Sequence, residues 1–320
     1  MRTRNYIKVC SLTAMLMAFV PCIQGATSPQ NGYFGNCSAV FDVLVADAVS
    51  DTCNDEIYLQ DVVYTSEDSV RVEQLLQADC GENDVLFYAR QFLGTPYVAH
   101  TLEVSDPERL VVNLRQLDCT TLVETVNALC ITRRKGQKRF VDFCRNLEAY
   151  RYRGGRRNGY LSRLHYFDWW INDATQRGWV HEVADKKYFV GKKKISNTYM
   201  SRHYQKYKML AAHPEWADSL CAMEQRGNGA VVAYLPAAKT GLTRRELSCI
   251  NTGDIVAIVT TKAGLDYSHL GFAVWGRDGR LHLLNASSIH KKVVEEPMTL
   301  RQYLAKHPTS VGIRVFRLLL

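Results

Sequence analysis

The sequence predicts an α+β fold, with helices first and an antiparallel sheet after them. Three observations predict it. Apolar residues recur at helical spacing in several segments between residues 69 and 178. After Gly253 the texture changes to short runs rich in branched and aromatic residues, and turn-forming residues separate those runs. A length of 320 residues with 47% hydrophobic content excludes disorder for most of the chain.

The elements follow in order. Arg2, Arg4 and Lys8 precede an apolar run from Val9 to Val20 and small residues at Gly25 and Ala26, the layout of a secretory signal over residues 1–26. The run is too short to span a bilayer comfortably, and no later stretch approaches the ~20 apolar residues of a membrane helix, so no stable membrane insertion is expected. The competing reading is a lipid anchor on Cys22, which the FVP before it fits poorly. Residues 27–69 are polar and weakly periodic and read as an N-terminal extension without a motif; the folded domain is expected over 70–320. Helices are predicted in SVRVEQLLQ, in NDVLFYARQFLG up to Gly94, over Leu114 to Leu129, over Arg139 to Leu147, and in the amphipathic segment His165 to Gly178. GDIVAIVTT, SHLGFAVW and LHLLNASS are the predicted strands, the last two joined by the turn GRDG.

The formal net charge is +8, and without the three basic residues of the signal it is 8 − 3 = +5. Basic residues gather at 132–138, 151–160 and 185–194. Such runs are ordinarily solvated faces; the sharper reading is attraction to an anionic polymer. Export, and the lack of any finger-like or aromatic-interleaved motif, count against nucleic acid. The abundant anionic material outside a bacterial cytoplasm is cell wall. None of the 10 cysteines forms a CxxC pair, which removes zinc-ribbon and thioredoxin readings. Export permits disulfides, and Cys37 with Cys53 is the first pair expected, although spacing does not fix connectivity. Cys130 falls on the apolar side of its helix and is expected in the core.

Cys119 stands apart. Asp118 is a favoured N-cap, and Leu122, Val123, Val126 and Leu129 recur at helical spacing, so Cys119 lies in the first turn of a helix. Unpaired N–H groups and the helix dipole there favour a thiolate and suit an oxyanion. A cysteine in that place needs a base to be more than packing. A hairpin turning at Gly276 to Gly279 brings His269 and Asn285 to the same end of the sheet, within about two residues of direct opposition. Histidine beside an amide is the base-plus-orienter pair that thiol catalysis uses.

FLGTPYVAHTLE, LRQLDCTTLVETVNAL, LSRLHYFDWW, GDIVAIVTTKAGLDYSHLGFAVW and LHLLNASS together resemble the N-acetylmuramoyl-L-alanine amidase-like family of NlpC-type, papain-like cysteine hydrolases. The resemblance covers roughly Val70 to Leu320. It implies a papain-like fold with the nucleophile at a helix N-terminus packed on an antiparallel sheet. It implies Cys119 as nucleophile, His269 as general base and Asn285 as the orienting third group. Tyr97 in GTPY would face the thiol, and Ser268 and Arg163 would join it in substrate binding. It implies no metal and no organic cofactor, with peptidoglycan fragments as partner and the periplasm of a Gram-negative bacterium as location. The bond implied is that between the lactyl group of N-acetylmuramic acid and L-alanine, in small muropeptides including anhydro-sugar forms. An endopeptidase cutting the γ-D-glutamyl to diamino acid bond shares every motif, and a non-catalytic wall-binding protein is the reading from another class. The sequence departs from the family at two places: histidine is expected at Asn285, and glycine at His100. Arg163, beside His165, Tyr166 and Trp169, could pair with a carboxylate while an aromatic stacks on a sugar; the same segment also fits an amphipathic helix with core aromatics and a surface arginine.

Overall fold

Residues 54–56 and 58–320 are described by the computed structural model. The signal segment, Cys22 and the Cys37–Cys53 pair lie outside the described residues. Strand β1 (Val62–Val63) runs parallel to β2 (Leu110–Val111). Between them come α1 (Ser66–Gln77), closed at its start by a capping box between Thr65 and Asp68, and α2 (Asp84–Arg90), capped by Asn83. Then follow α3 (Cys119–Arg134), α4 (Phe140–Arg151), α5 (Phe167–Gln176), β3 (Val180–Val183) and β4 (Gly191–Lys194). Three helices, α6 (Tyr199–Arg202), α7 (Lys208–Ala212) and α8 (Trp216–Gly227), precede β5 (Val231–Pro236). The chain ends with β6 (Ile255–Thr260), β7 (Tyr267–Trp275), β8 (Leu281–Ser287), β9 (Lys292–Glu295), α9 (Leu300–Ala305) and β10 (Ser310–Leu318).

The sheet extends beyond its three legible strands. Its order is β4-β5-β10-β6-β7-β8-β9, every neighbouring pair antiparallel, and β3 pairs with the far end of β10 beside β5. All six residues of β6 are buried, because apolar layers cover the sheet on both faces. One layer holds the large helices, with Leu122, Val126, Phe143 and Trp170 packed toward Leu270, Phe272 and Leu284 of the sheet. The other is smaller and brings Leu300, Tyr303 and Leu304 of α9 against Ala273, Leu283 and Ile313. The mixed helix and antiparallel-sheet class predicted from the sequence is the class observed.

Several boundaries differ from the periodicity, each for a local reason. The helix expected from Leu114 begins at Cys119. Before it, Asn113 Oδ1 accepts from the N–H of Arg115 and of Gln116, and Asp68 Oδ1 accepts from Leu114 N–H, so that stretch is held as a turn. At its other end α3 runs on past Leu129 to Arg134. The helix expected to reach Gly94 stops at Arg90. The described part of the segment before Val70 is tied to the helices: Asp55 pairs with Arg139 at 2.6 Å and Arg145 at 2.5 Å, and Asp61 pairs with Arg157 at 2.5 Å.

Helix α3 is the centre of the helical layer, with every residue from Thr121 to Thr132 buried. That buries Cys130 in the core, as its position predicts, and it also buries Glu124. Glu124 is matched by buried Arg151, whose Nε donates to it at 2.8 Å while Nη1 donates to the Val111 carbonyl. Removing one partner strands a charge in the core. Arg151→Met is therefore expected to lower unfolding free energy by about 3–5 kcal/mol, and Arg151→Met with Glu124→Leu to recover most of it. Urea unfolding of the two variants checks this; equal losses in both would contradict it.

Candidate active site

The site forms where the first turn of α3 meets the start of β7. Asp118 Oδ1 accepts from the N–H of Thr120 and Thr121, and Thr121 Oγ1 in return accepts from Asp118 N–H. This reciprocal cap sets where the helix starts, and so makes Cys119 its first residue. The N–H of Leu270, the residue after His269, is directed at the Cys119 sulfur. Thiol and imidazole are thus brought to neighbouring places by the contact of one helix end with one strand end.

The strand end is shaped by two features. Ile258 of β6 pairs with His269 and Val259 pairs with Tyr267, so Ser268 is the extra residue of a bulge immediately before His269. On the other side, β7 and β8 pair Phe272 with Leu284 and Trp275 with Leu281. Continued by one residue, that register sets Gly271 against Asn285. Gly271 is two residues from His269 and on the same side of the strand. A side chain at Gly271 would put its Cβ 2.6 Å from the Leu284 carbonyl oxygen and 3.1 Å from Asn285 Cβ. The glycine leaves open the gap that His269 Nε2 spans to reach Asn285 Oδ1 at 2.9 Å.

The direction of that bond follows from what lies behind it. Asn285 Nδ2 donates to Glu296 Oε1 at 3.2 Å, so its amide oxygen faces His269. The imidazole then carries its proton on Nε2 and keeps a lone pair on Nδ1. Burial lowers the His269 pKa and the neighbouring His307 adds to this, against the opposing Asn285 bond and the Glu296 and Asp118 charges. The ring is a free base at neutral pH. For Cys119 the sequence suggests a lowered pKa, and the structure gives the reverse: burial pushes the thiol up to about 12, with the Asp118 carboxylate acting in the same direction. The N–H of Leu270, the Thr120 side chain and the Cys119 N–H work against that rise without overcoming it. The resting pair is a neutral thiol beside a neutral imidazole.

The other sequence-predicted residues are arranged around this pair. Tyr97 N–H donates to the Lys291 carbonyl, Val98 N–H to that of Leu117 and Leu117 N–H to that of Pro96, which straps the GTPY turn across the start of α3. Tyr97 is half-buried, and its hydroxyl is pushed up to about 12 by burial and by the charges of Cys119 and Asp118. His100 has a φ of +63°, the left-handed region that glycine adopts without cost, which accounts physically for the glycine expected there. Ser268 is half-buried at the bulge. Arg163 is not on the surface, and α5 begins only at Phe167. Arg163 is 6% exposed, its Nε stands 3.4 Å from Glu108 Oε1, and its guanidinium lies over the Tyr160 ring at 4.7 Å. Nε and Nη2 of Arg163 nonetheless make no hydrogen bond. Tyr166 and Trp169 are buried core residues. A cleft of about 220 Å³ flanks the first turn of α3, lined by His100, Glu103, Asp118, Thr120, Arg163 and Tyr207 among others, with Cys119 and His269 outside its lining.

Two neighbours of the pair were not legible beforehand. Tyr303 of α9 lies nearly parallel to the His269 ring with centroids 6.2 Å apart, and Glu296 backs Asn285. The segment after Ser288 carries no motif; the β8–β9 pairing brings in Glu296, and the packing of α9 on the sheet brings in Tyr303. Among the described residues, no group of three or more His, Cys, Asp or Glu converges as a metal site.

Residues 88–313 match the family model described as N-acetylmuramoyl-L-alanine amidase-like. The chain is similar to an N-acetylmuramoyl-L-alanine amidase from Bacteroides uniformis, with 42% identity and a TM-score of 0.69 over 74% of this chain and 98% of that one. It is similar at 42% identity to a putative xylanase from Bacteroides fragilis, TM-score 0.67, over 72% and 99% of the two chains. A protein from Legionella pneumophila, 22% identical with a TM-score of 0.61, shares the fold over 79% of this chain and 95% of its own. No curated protein matches the chain.

Two outcomes follow from the geometry. His269 accepts a proton only as neutral imidazole and its pKa is held below 6.5, so hydrolytic activity is expected to persist at pH 6.5 and to fall below it. A pH profile of kcat/KM with its acid limb centred above 6.5 would contradict the burial argument. Gly271→Ala is expected to destabilise the fold by about 1–3 kcal/mol through overpacking between β7 and β8. It should also lower kcat, read by thermal unfolding and steady-state kinetics; a fully active, fully stable variant would refute the need for the gap.

Proposed function

The chain belongs to the N-acetylmuramoyl-L-alanine amidase-like family, and from that premise we propose an exported cysteine amidase that hydrolyses the lactyl to L-alanine bond of peptidoglycan fragments. The observation that carries the reading is the His269–Asn285 hydrogen bond at 2.9 Å, on the strand whose next residue, Leu270, offers its N–H toward Cys119 in favour of the thiolate. An amidase in this family acts on peptidoglycan; the substrate class follows from that. The antiparallel sheet with a half-buried cysteine at a helix N-terminus supports a papain-like, NlpC-type arrangement. The basic stretch and apolar run at the N-terminus support export, to the periplasm of a Gram-negative cell.

The chemistry proceeds from the resting neutral pair. Cys119 Sγ attacks the lactyl carbonyl carbon as His269 Nδ1 takes the thiol proton. A high thiol pKa makes this coupled transfer necessary, since little free thiolate exists beforehand. The Cys119 N–H and the Tyr97 hydroxyl stabilise the oxyanion. Collapse breaks the C–N bond, and the imidazolium returns its proton to the amine of L-alanine. Water then attacks the thioester with His269 again as base, releasing the muramic carboxylate and restoring the thiol. Asn285 holds the ring in the tautomer that both steps require. No step draws on a metal or an organic cofactor. Arg163 lines the cleft that flanks the first turn of α3, and its guanidinium there supports recognition of a stem-peptide carboxylate.

Defined muropeptides with product masses test the reading. Free peptide beginning with L-alanine is expected from the wild type and none from Cys119→Ala; a retained sugar–dipeptide would move the assignment to the γ-D-glutamyl endopeptidase. Turnover by Cys119→Ala would remove the cysteine mechanism. Arg163→Lys keeps the charge facing Glu108 and loses the fork, so KM is expected to rise by about tenfold or more while alkylation of Cys119 by iodoacetamide is unchanged. An unchanged KM would place the carboxylate elsewhere.

A further inference from the structure

We infer that Glu296 is a positioning residue of the hydrolytic site, acting through Asn285 to set the His269 tautomer; the inference rests on the cysteine mechanism proposed above. Three side chains continue the site away from the thiol. Asn285 Nδ2 donates to Glu296 Oε1 at 3.2 Å, and Glu296 Oε2 is 3.2 Å from His290 Nε2. Asn285 is 0% exposed and Glu296 2%. Glu296 follows β9 directly, and its backbone is clamped to β8: its N–H donates to the Leu283 carbonyl, and its own carbonyl lies 3.1 Å from His282 Nδ1. The carboxylate is therefore held in place by the strand pairing.

An amide in isolation is ambiguous. Asn285 could turn either its oxygen or its nitrogen to His269, and the two choices select opposite tautomers of the imidazole. With nitrogen forward, Nε2 of His269 would have to accept, its proton would move to Nδ1, and the lone pair that must receive the thiol proton would be lost. A carboxylate has only acceptors to offer. Placed behind Asn285, Glu296 makes the rear-facing group a donor, and the oxygen must face forward. The same logic says which residues position 285 can hold. Asparagine and histidine both present an acceptor to His269 while donating backward. Aspartate presents acceptors on both sides and sets two carboxylates in contact in a buried place, where like charges resist joint ionisation. Glu296 thus explains an amide at a position where thiol or serine hydrolases can equally use a carboxylate.

The test uses the full chain, steady-state kinetics on a defined muropeptide, and nitrogen NMR of labelled His269. Glu296→Leu is expected to lose roughly tenfold or more in kcat with KM nearly unchanged, and Glu296→Gln, whose amide can either accept from Asn285 or donate to it, to lose less but measurably. The wild-type imidazole should show only the Nε2–H form, and those of Glu296→Leu and Glu296→Gln should show the Nδ1–H form beside it. Because Glu296→Leu could fail to fold, a second pair decides independently. Asn285→Asp is expected to lose at least about tenfold in kcat, and Asn285→Asp with Glu296→Gln to regain most of it, since glutamine can donate to the new carboxylate. A single Nε2–H tautomer and wild-type kcat in a folded Glu296→Leu would overturn the inference. So would an Asn285→Asp variant that gains nothing from Glu296→Gln. Cys119→Ala and Asn285→Leu separate the two levels: full turnover by the first removes the cysteine mechanism, and full turnover by the second removes the orienting role of Asn285 through which Glu296 would act. If both are inactive while Glu296→Leu is normal, only the role of Glu296 falls.

Discussion

The hydrogen bond from His269 Nε2 to Asn285 Oδ1 joins two neighbouring strands, and its 2.9 Å length depends on their register. A slip of one residue between β7 and β8 would turn Asn285 to the other face of the sheet and leave the imidazole without an orienting group. Much of the surrounding structure maintains that register. The tight turn at 276–280 closes the hairpin, with Gly279 at a φ of +69°. Gly271 lets the strands approach closely beneath the pair. On the far side, β9 locks β8 by pairing Asn285 with Val294. The bulge at Ser268 then interrupts the regular pairing with β6 immediately before the histidine, and the pairing resumes at Tyr267.

The helix supplies the second half of the constraint, and two electrical effects oppose one another there. The N-terminus of α3 favours negative charge on Cys119, yet the residue that caps it, Asp118, is an acid, and burial penalises thiolate further. Burial outweighs the dipole, and the thiol rests protonated. In the proposed mechanism its activation falls to His269, whose pKa the same burial lowers. One cause, desolvation at the contact of α3 and β7, accounts for both resting states.

The catalytic candidates were legible because each sits in a segment with strong local grammar. Asp118 before an apolar periodic run announces a helix start, and the GRDG turn between two apolar runs announces a hairpin; together they bring Cys119, His269 and Asn285 within reach. Periodicity carried less information where burial is two-sided. Helix α3 is buried nearly all round, so its apolar stripe did not mark its end at Arg134. Strands β3, β4 and β5 are short, and β4 reads as a charged run because its edge position exposes Lys192 and Lys194 while Lys193 turns back to buried Asp266. Strand β10 pairs with three others, and its role depends on partners distant in the chain. Glu296 follows the half-buried Glu295, which pairs with Arg90 at 3.1 Å; nothing in the pair of acids says that the second one points inward. Arg163 was readable as a binding candidate, but its burial against Glu108 was not, because Glu108 comes from a loop more than fifty residues earlier.

The central claim is that Cys119 becomes acylated on the lactyl carbonyl. Acid-quenching a single turnover on a disaccharide- or anhydro-muropeptide, followed by mass spectrometry of the Cys119 peptide, tests it most directly. The account predicts a thioester whose added mass is the muramoyl group without any amino acid. An adduct carrying the muramoyl group with L-alanine and D-glutamate would contradict the bond assignment, and turnover without any adduct on Cys119 would contradict the cysteine mechanism.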